Sequence, residues 1–377
     1  MSTTFGCISA DSHVNEPRDL WSDNLPRELR ADAMRGIEAG DDGSWSVVLE
    51  GRHIAKAGMH EAERLAVLDP SKRLNVMREE GVVGECIFPT IGLYVWMLDS
   101  ADGQKQSCRI YNEWIFDQLH SQSPRFCCAG LVPTARAADA IEEVRFVADI
   151  GLGAVMLPTV PDKSLTVQPG AYAPNWNHPD WEPLWSTIEE SGLPIVMHQG
   201  TGHDMIWYRG PGATIANLLA TQSIAPRTAT LLATSGVLER HPGLRFVFVE
   251  YGAGWYSWML ETIDYYTAAF LRYDTDPDFG HRMIYPELEH APSEYVRRQV
   301  YTTFQEDYTA LTNLGSTGAD SLMWGADYPH EEGTYPSSRE VVDRQISRVD
   351  PEQARRLFRD NAATVFGFPG SVLSTPV

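Results

Sequence analysis

The sequence predicts a parallel (β/α)8 barrel, and two observations carry this prediction. First, eight short apolar runs recur along the 377 residues, and most of them end in polar residues. The runs are dense in Val, Ile, Leu, Phe and Met rather than alternating, as in strands that are covered on both faces. Second, segments with helical apolar spacing separate consecutive runs. Strands that alternate with helices in this way are typical of a barrel whose helices surround a parallel sheet.

The predicted elements follow one another along the whole chain. The eight strands are placed at residues 5–11, 84–90, 125–134, 152–159, 193–200, 244–252, 298–305 and 321–330. The helices are placed at 71–81, 108–122, 137–151, 181–192, 255–273, 337–346 and 351–367, with two more over 214–243 that divide near Pro226. Their apolar positions recur at i, i+3 and i+4, and glycines close several of them.

Two stretches exceed what a barrel of about 250 residues needs. Residues of about 22–62 include "SWSVVLEGRHIAKAG", two short alternating runs around Glu50-Gly51 that predict a hairpin inserted after strand one. Residues 274–296, which are rich in Pro, Asp and His, predict a second excursion before strand seven. We expect residues 1–377 to form one domain with the small insertion.

Composition excludes several classes of partner. The net charge of −21 argues against nucleic acids and anionic membranes, because phosphate binding needs a basic surface. No apolar run approaches the ~20 residues that span a bilayer, and no leader-like segment opens the sequence, so a cytoplasmic location is expected. The five cysteines lack paired CxxC spacing, which favours buried free thiols over disulfides or a thiolate zinc site.

Ionisable side chains gather at the predicted strand ends, which form the catalytic face of such barrels. Strand one ends in Asp11-Ser12-His13, and alternation along a strand points positions 11 and 13 the same way. Strands five, six and eight end in His198, Glu250 and Asp327. These nitrogen and oxygen donors suit Zn²⁺, Mn²⁺ or Fe²⁺.

Each of these residues alone also has a structural interpretation. An Asp near a strand end often caps a turn or helix, and a strand-end His is often hydrogen-bonded within the protein. Four such groups at one barrel mouth favour a metal site, because buried charges are costly unless they are paired or bound to a metal.

These motifs resemble a known family over the whole chain. "ADSHVNEP", "VMHQG", "HPGLRFVFVEYGAGW", "WGADYPH" and "FRDNAATVFGF" are similar to the amidohydrolase superfamily. The resemblance is greatest to its amidohydrolase-2 branch, which includes aminocarboxymuconate semialdehyde decarboxylase and γ-resorcylate decarboxylase. The resemblance implies one divalent metal ion, with zinc expected first and manganese or iron as alternatives. It assigns the ligands to Asp11, His13, His198 and Asp327.

The chain departs from the branch at two of these strand ends. Asp11 stands where relatives commonly have His or Glu, and Glu250 stands where better-known members have an acid/base His. The fourth strand ends in "MLPT" without the Lys of binuclear relatives, which favours a single ion. Asp327, Glu250 and His198 are the expected catalytic residues. Asp327 is the stronger candidate base, and Glu250 either moves a proton or pairs with an Arg or backbone amides.

Aromatic and cationic residues are frequent in the loops that follow the strands. Such residues suit a flat carboxylated ligand, although tryptophans also pack in cores. The predicted substrate-binding residues are Trp96, His178, Trp207, Tyr208, Arg209, Trp255 and His330.

Three functions are compatible with these residues. The first is non-oxidative decarboxylation of an aromatic or unsaturated carboxylic acid, which the resemblance favours. The second is hydrolysis of an amide, lactone or ester by a metal-activated water. The third is a ligand-binding barrel without catalysis. In each case the partner is a small molecule, and the resemblance implies a homo-oligomer, a dimer.

Overall fold

The chain folds as a (β/α)8 barrel with a small antiparallel sheet attached. The structure, a computed structural model, describes residues 5–38, 45–49, 52–57, 67–161, 175–201, 208–271 and 288–376. Its strands are β1 (Cys7–Val14), β2 (Arg35–Glu38), β3 (Trp45–Leu49), β4 (Arg52–Ala57), β5 (Val82–Pro89), β6 (Phe126–Leu131), β7 (Ala154–Met156), β8 (Ile195–His198), β9 (Phe246–Val249), β10 (Val300–Phe304) and β11 (Leu322–Trp324).

Eight of these strands form the barrel sheet in the order β1-β5-β6-β7-β8-β9-β10-β11. Every neighbouring pair in this order is parallel. The two ends of the sheet meet where Ser12 bridges Tyr328 in parallel register. At that contact the amide of His13 donates to the carbonyl of Tyr328 at 2.6 Å, and the amide of Asp327 donates to the carbonyl of Asp11 at 2.8 Å. The predicted fold class is therefore confirmed.

Helices surround the sheet between consecutive barrel strands. They are α1 (Leu20–Asn24), α2 (Pro70–Glu80), α3 (Ala101–Gln118), α4 (Ala137–Ile150), α5 (Glu182–Ser191), α6 (Ala213–Gln222), α7 (Ile224–Thr234), α8 (Val237–Arg240), α9 (Gly254–Leu271), α10 (Pro292–Gln299), α11 (Tyr308–Thr312), α12 (Leu314–Thr317), α13 (Ser338–Ile346), α14 (Pro351–Arg355), α15 (Asn361–Phe366) and α16 (Gly370–Leu373). A π-helical turn (Arg356–Asp360) joins α14 to α15.

Local sequence explains where the helices begin and end. Helix α2 begins after Asp69, whose carboxylate accepts hydrogen bonds from the amides of Ser71 and Lys72. Pro70 occupies its first position, where the missing amide hydrogen is not needed. Gly81 closes the helix with φ 77°, a left-handed conformation that favours glycine.

The core lies inside the barrel and between the sheet and the helices. All eight residues of β1 and all eight of β5 are buried, which explains why apolar or small residues fill most of their positions without alternation. Each fully buried large apolar side chain contributes about 1.5–3 kcal/mol to folding. Polar side chains buried within the same strands, such as Asp11 and His13, therefore need a compensating partner.

The inserted segment contains the small sheet. Strands β2, β3 and β4 pair antiparallel in that order, and β3 and β4 are the two arms of the hairpin predicted around residues 50–51. The residues between these two arms lie outside the described part of the chain. The predicted excursion at 274–296 also lies largely outside it, and helix α10 accounts for its end.

Several element boundaries differ from the predicted ones. Strand β1 continues to Val14, so Asp11 and His13 lie within the strand rather than beyond it. Helix α3 begins seven residues earlier than predicted, after Ser100, whose hydroxyl accepts a hydrogen bond from the amide of Gly103. The break predicted near Pro226 lies at Ser223, because proline is tolerated in the first turn of α7.

The described helices include none that is both long and apolar enough to cross a membrane.

Strands β1 and β11 approach so closely that Gly325 has no room for a side chain. A Cβ atom at Gly325 would lie 2.4 Å from Cβ of Asp11. We therefore expect Gly325→Ala to lower the free energy of unfolding by about 1–3 kcal/mol, measured by denaturant titration.

Gly315 in α12 supplies the matched control. No atom of the described residues lies within 4 Å of its Cβ position, so Gly315→Ala should not destabilise the protein. Equal stability of Gly325→Ala and the unaltered protein would contradict the close approach of β1 and β11.

Candidate metal centre

The barrel mouth brings together the four predicted ligands. Asp11 and His13 lie on β1, His198 is the last residue of β8, and Asp327 follows β11 by three positions. All four side chains are at most 1% exposed. The two-residue spacing on β1 places both of its ionisable side chains on the interior face of the strand, as alternation requires.

Hydrogen bonds from the backbone set the tautomers of the two imidazoles. Nδ1 of His13 lies 2.8 Å from the carbonyl of Pro89, and Nδ1 of His198 lies 2.8 Å from the carbonyl of Gln199. A carbonyl oxygen only accepts, so each Nδ1 carries a hydrogen. In the neutral imidazoles the lone pair is therefore on Nε2, which in both residues points into the cluster.

The atoms that face one another are mostly hydrogen-bond acceptors. Nε2 of His13 lies 3.5 Å from Oδ1 of Asp11 and 3.5 Å from Oδ1 of Asp327, and Nε2 of His198 lies 3.5 Å from Oδ1 of Asp11. Within the described part of the chain, these two nitrogens and both carboxylates make no hydrogen bond at these atoms. Buried acceptors without donors are costly, and a cation satisfies all of them at once.

The pKa values of the cluster reflect this crowding. Burial favours the neutral carboxyl of Asp11, but His13 and His198 outweigh it and hold the pKa of Asp11 below its usual range. Burial and the nearby His330 lower the pKa of His13 to about 3, which leaves its Nε2 lone pair free for a metal. Burial and the Asp11 carboxylate raise the pKa of Asp327 well above its usual range.

The pKa of His198 is shifted in the opposite direction from that of His13. Burial opposes its charged form, but the carboxylate of Asp11 raises the pKa of His198 above the usual value. A metal ion that binds Nε2 of His198 competes with the proton whose binding the Asp11 carboxylate favours.

Glu250 lies beside this cluster in an unusual backbone conformation. It directly follows β9 with φ 69°, and its amide donates to Oγ1 of Thr303 at 2.8 Å. Its Oε2 lies 3.6 Å from Nδ1 of His198, and its side chain is 14% exposed. Burial and the carboxylate of Asp327 raise the pKa of Glu250 well above its usual range. Asp327 is also left-handed, with φ 54°, and left-handed residues other than glycine concentrate at functional sites.

His330 completes the centre from the loop after β11. Its Nδ1 lies 2.9 Å from Oδ1 of Asp327, and its Nε2 lies 3.5 Å from Oγ1 of Thr90. Its ring stacks on that of His13 at a centroid distance of 4.0 Å. The side chain is 20% exposed, so it is more accessible than the four ligand candidates.

The other predicted substrate-binding residues are placed in different surroundings. Trp96 is 1% exposed, and its indole nitrogen donates to the carbonyl of Val132 in the core. Tyr208 and Arg209 are exposed, and His178 accepts a hydrogen bond from the amide of Asp180 at the start of a short 3-10 helix. Trp207 lies outside the described residues.

Trp255 lines a groove of about 1080 Å³ that begins beside the mouth. The groove starts at Tyr251 and Gly252, which follow Glu250, and at Gln305, which follows β10. It continues along α9 past Trp258. The sequence prediction of aromatic residues near the mouth therefore has a structural counterpart here, while the role of Trp255 stays a prediction.

Two residues near the centre had not been predicted. A carboxylate oxygen of Glu332 lies within 4.8 Å of oxygens of Glu250 and Asp327. Burial and the charge of Glu250 raise the pKa of Tyr94 to about 12. Glu332 lies five residues after Asp327 in an acidic "EE" pair, a signal that could have been used, whereas nothing in the sequence around Tyr94 points to the mouth.

The donor set fits one divalent cation. One donor atom from each of Asp11, His13 and His198 lies within 4.8 Å of the other two, and the same holds for His13, Asp327 and His330. Two imidazole nitrogens with carboxylate oxygens form a mixed set that suits Zn²⁺, Mn²⁺ or Fe²⁺. The unpartnered buried atoms and most of these donors belong to the residues expected from the sequence as ligands, and their binding of an ion stays a prediction.

Fold and site together define the class to which this protein belongs, the (β/α)8 barrels with ionisable ligands gathered at the carboxyl ends of their strands. A family model described as Amidohydrolase matches residues 11–368, and the chain belongs to this amidohydrolase family. The resemblance inferred from the sequence motifs is confirmed.

Known proteins similar to this chain include several decarboxylases. The gamma-resorcylate decarboxylase of Rhodococcus jostii (strain RHA1) is 25% identical over 272 residues, which cover 68% of this chain and 74% of the relative. The structure of 5-carboxyvanillate decarboxylase from Sphingomonas paucimobilis has a TM-score of 0.67 at 21% identity and covers 97% of this chain and 100% of its own. A third similar structure is that of 5-carboxyvanillate decarboxylase from Novosphingobium aromaticivorans DSM 12444, complexed with manganese and 4-hydroxy-3-methoxy-5-nitrobenzoic acid. It has a TM-score of 0.70 at 15% identity and covers 97% of this chain and 96% of its own.

The donor set predicts that a divalent ion stabilises the folded protein. At 100 times its dissociation constant, such an ion should add about 2.7 kcal/mol to the free energy of unfolding. We expect chelator treatment to lower Tm, and His13→Ala or His198→Ala to remove both the bound metal and this effect. Calorimetry together with elemental analysis of the purified variants measures both.

His290 provides a control because it is an exposed histidine in another part of the chain. His290→Ala should keep the full metal content. Full metal content in both His13→Ala and His198→Ala would rule out the site described above.

Proposed function

We propose that this protein is a metal-dependent decarboxylase that releases CO₂ from an aromatic carboxylic acid without oxidation. The observation that carries the proposal is the buried cluster of Asp11, His13, His198 and Asp327 at the barrel mouth. The similarity to decarboxylases of resorcylate and carboxyvanillate supports decarboxylation over the hydrolysis considered from the sequence.

The proposed cofactor is one divalent ion held by these four residues. The ligand pattern of the sequence led us to expect zinc, and manganese is the ion in the Novosphingobium structure. Nitrogen and oxygen donors accommodate both ions. When bound, the ion supplies positive charge that anchors the carboxylate of the substrate and a neighbouring oxygen.

The reaction requires a proton at the carbon that carries the carboxylate. That carbon forms a bond to the proton, then its bond to the carboxylate breaks, CO₂ leaves, and the bonding electron pair returns to the ring. We propose Glu250 as the proton donor, because burial and Asp327 raise its pKa and keep the carboxyl protonated nearer to neutral pH. A buried glutamic acid beside a second carboxylate can thus replace the histidine that the branch commonly has on this strand.

His330 and Asp327 form a second route for protons. The 2.9 Å contact between Nδ1 of His330 and Oδ1 of Asp327 orients the imidazole, and the partial exposure of His330 connects the pair with solvent. We propose that His330 returns a proton from solvent to the site after each turnover. Asp327 orients this imidazole in addition to its part in the ligand set.

The aromatic ring of the substrate needs apolar walls near the mouth. We propose Trp255 for this role, since it lines the adjoining groove. Arg209, Tyr208, Trp207 and His178 stay predicted substrate contacts. Trp96, which is bonded within the core, supports the loop after β5 in our proposal.

We also propose a homodimer and a cytoplasmic location. Helices α6 and α9 expose large apolar side chains, among them Ile215 at 71%, Leu219 at 69% and Tyr265 at 70%. Leu219 of α6 and Trp258 and Tyr266 of α9 also line one groove, and an exposed apolar surface of this kind marks protein interfaces, which supports the dimer.

Aromatic acids with a hydroxyl next to the carboxylate should be converted to the corresponding phenols and CO₂. We expect one equivalent of CO₂ per substrate consumed, followed by a coupled bicarbonate assay and by chromatography of the product. A panel of lactones, amides and esters serves as the comparison. Formation of a new carboxylate from that panel, without CO₂ from any aromatic acid, would instead establish hydrolysis.

Glu250→Gln should lower kcat by about 10²–10⁴-fold while metal content stays unchanged, since an amide cannot donate the required proton. In the unaltered protein the protonated Glu250 is the active form, so kcat should fall as pH rises through its elevated pKa. This limb of the pH profile should be absent in Glu250→Gln.

Glu340 is exposed on α13, and Glu340→Gln is the matched control, with an unchanged profile expected. A Glu250→Gln variant with normal kcat would exclude Glu250 as the proton donor.

A further inference from the structure

We infer that Arg73 and Glu85, a buried ion pair outside the ligand set, position the ligand-bearing ends of β1 and β11 for metal binding. The inference rests on the metal centre of the proposed function. Arg73 lies on α2 and Glu85 on β5, and neither belongs to the groups of residues that could hold an ion.

Arg73 contacts both strand ends that carry ligands. Its side chain is fully buried, and Nε donates to Oε2 of Glu85 at 2.6 Å. Nη1 donates to the carbonyl of His13 at 2.8 Å, so the guanidinium holds the backbone of a ligand residue. Its Cζ lies 5.4 Å from the ring centroid of Tyr328, the residue that follows Asp327, within the range of a cation–π contact.

Glu85 reaches the same two strand ends through hydroxyl groups. Its Oε1 lies 3.4 Å from Oγ of Ser12, which lies 3.1 Å from Oγ of Ser9. The Ser9 hydroxyl donates to the carbonyl of Asp11 at 2.7 Å and accepts from the amide of Ala326 at 2.9 Å. Polar contacts thus connect the ion pair with the residues on either side of the β1–β11 contact.

The β1–β11 contact needs such support because little pairing holds it. Strands β1 and β5 pair along their length, whereas Ser12 and Tyr328 form only an isolated bridge. Asp11 and Asp327 also each place a carboxylate oxygen 3.5 Å from Nε2 of His13, so two acidic side chains meet across this contact. The Arg73–Glu85 pair therefore determines how closely the carboxylates of Asp11 and Asp327 are held before an ion binds.

We therefore expect the Arg73–Glu85 pair to affect the geometry of the metal centre more than the stability of the folded protein. Replacing both members of a buried ion pair by apolar residues of similar size is often neutral or stabilising, whereas removing one member leaves an uncompensated charge. The variant Arg73→Met with Glu85→Met should therefore fold while it loses the contacts to His13 and Ser12.

A second ion pair supplies the matched control. Arg109 on α3 donates to Glu143 on α4 at 2.8 Å, and Glu143 is fully buried. This pair joins two outer helices, and within the described part of the chain its hydrogen bonds reach Asn112 and none of the candidate ligands. Arg109→Met with Glu143→Met changes the same kinds of side chain at a site remote from the mouth.

The test measures the dissociation constant of Zn²⁺ and of Mn²⁺ by chelator competition in both double variants and in Arg73→Lys. We expect the Arg73/Glu85 double variant to bind both ions 10–100-fold more weakly, as is typical when supporting residues of a metal site are removed. Arg73→Lys should recover part of this loss, and the Arg109/Glu143 double variant should bind as the unaltered protein does.

Hydrogen exchange of the metal-free proteins adds a readout that does not depend on activity. The amides of His13 and Asp327, which bond across the β1–β11 contact, should exchange at least 10-fold faster in the Arg73/Glu85 double variant. In the Arg109/Glu143 double variant their exchange should be unchanged.

The possible failures are distinguishable. An unaltered protein that binds neither ion overturns the metal centre and the proposed function. An unaltered protein that binds an ion, together with an Arg73/Glu85 double variant of equal affinity and equal amide exchange, overturns the positioning role alone.

Discussion

Charge repulsion among buried carboxylates is the constraint on which the rest of this structure depends. Asp11 and Asp327 are almost completely buried in one cluster, Glu250 adds a third carboxyl, and the Nε2 atoms of two histidines face the same cluster. Such a cluster is tolerable only when protons or a cation neutralise it. The raised pKa values of Asp327 and Glu250 show the first solution, and a divalent ion provides the second. Proton uptake and metal binding are therefore alternatives at one site.

The backbone around the mouth holds these groups together against that repulsion. The left-handed conformations of Glu250 and Asp327 are each secured by a hydrogen bond of their own amide, to Thr303 and to the carbonyl of Asp11. Gly325 lets β11 approach β1 where any side chain would collide with Asp11. Strained residues persist only where the surroundings determine their conformation. The contacts between the strands therefore also fix the positions of the candidate ligands.

The sequence was sufficient to predict the barrel and to bring the four ligand candidates to one mouth, because both follow from periodic patterns. Dense apolar runs identify strands covered on both faces, and in a parallel barrel the ends of all strands converge, so His198 and Asp327 could be placed beside Asp11 and His13. Residues whose roles depend on helix or loop placement could not be found in this way. Arg73 in a helical segment reads as a solvent-facing charge, and Glu332 lies near Glu250 and Asp327 only through the conformation of the loop after β11. Trp96 shows the opposite case. The sequence placed it in a loop at the mouth, but its side chain is buried and its indole nitrogen donates to a carbonyl in the core.

In the proposed function, Glu250 takes the chemical role that a histidine has in the family pattern. A histidine on the sixth barrel strand can donate a proton near neutral pH because of its ordinary pKa. A glutamic acid can do so only if its surroundings disfavour the carboxylate, and here burial and Asp327 both do. The same surroundings make the site sensitive to the ion, since a cation stabilises the carboxylate and lowers the pKa of Glu250. Substrate binding opposes that effect, because the carboxylate of the substrate offsets the charge of the ion. The proton donor is therefore expected to be most strongly protonated when the substrate occupies the mouth, at the stage of the reaction that consumes the proton.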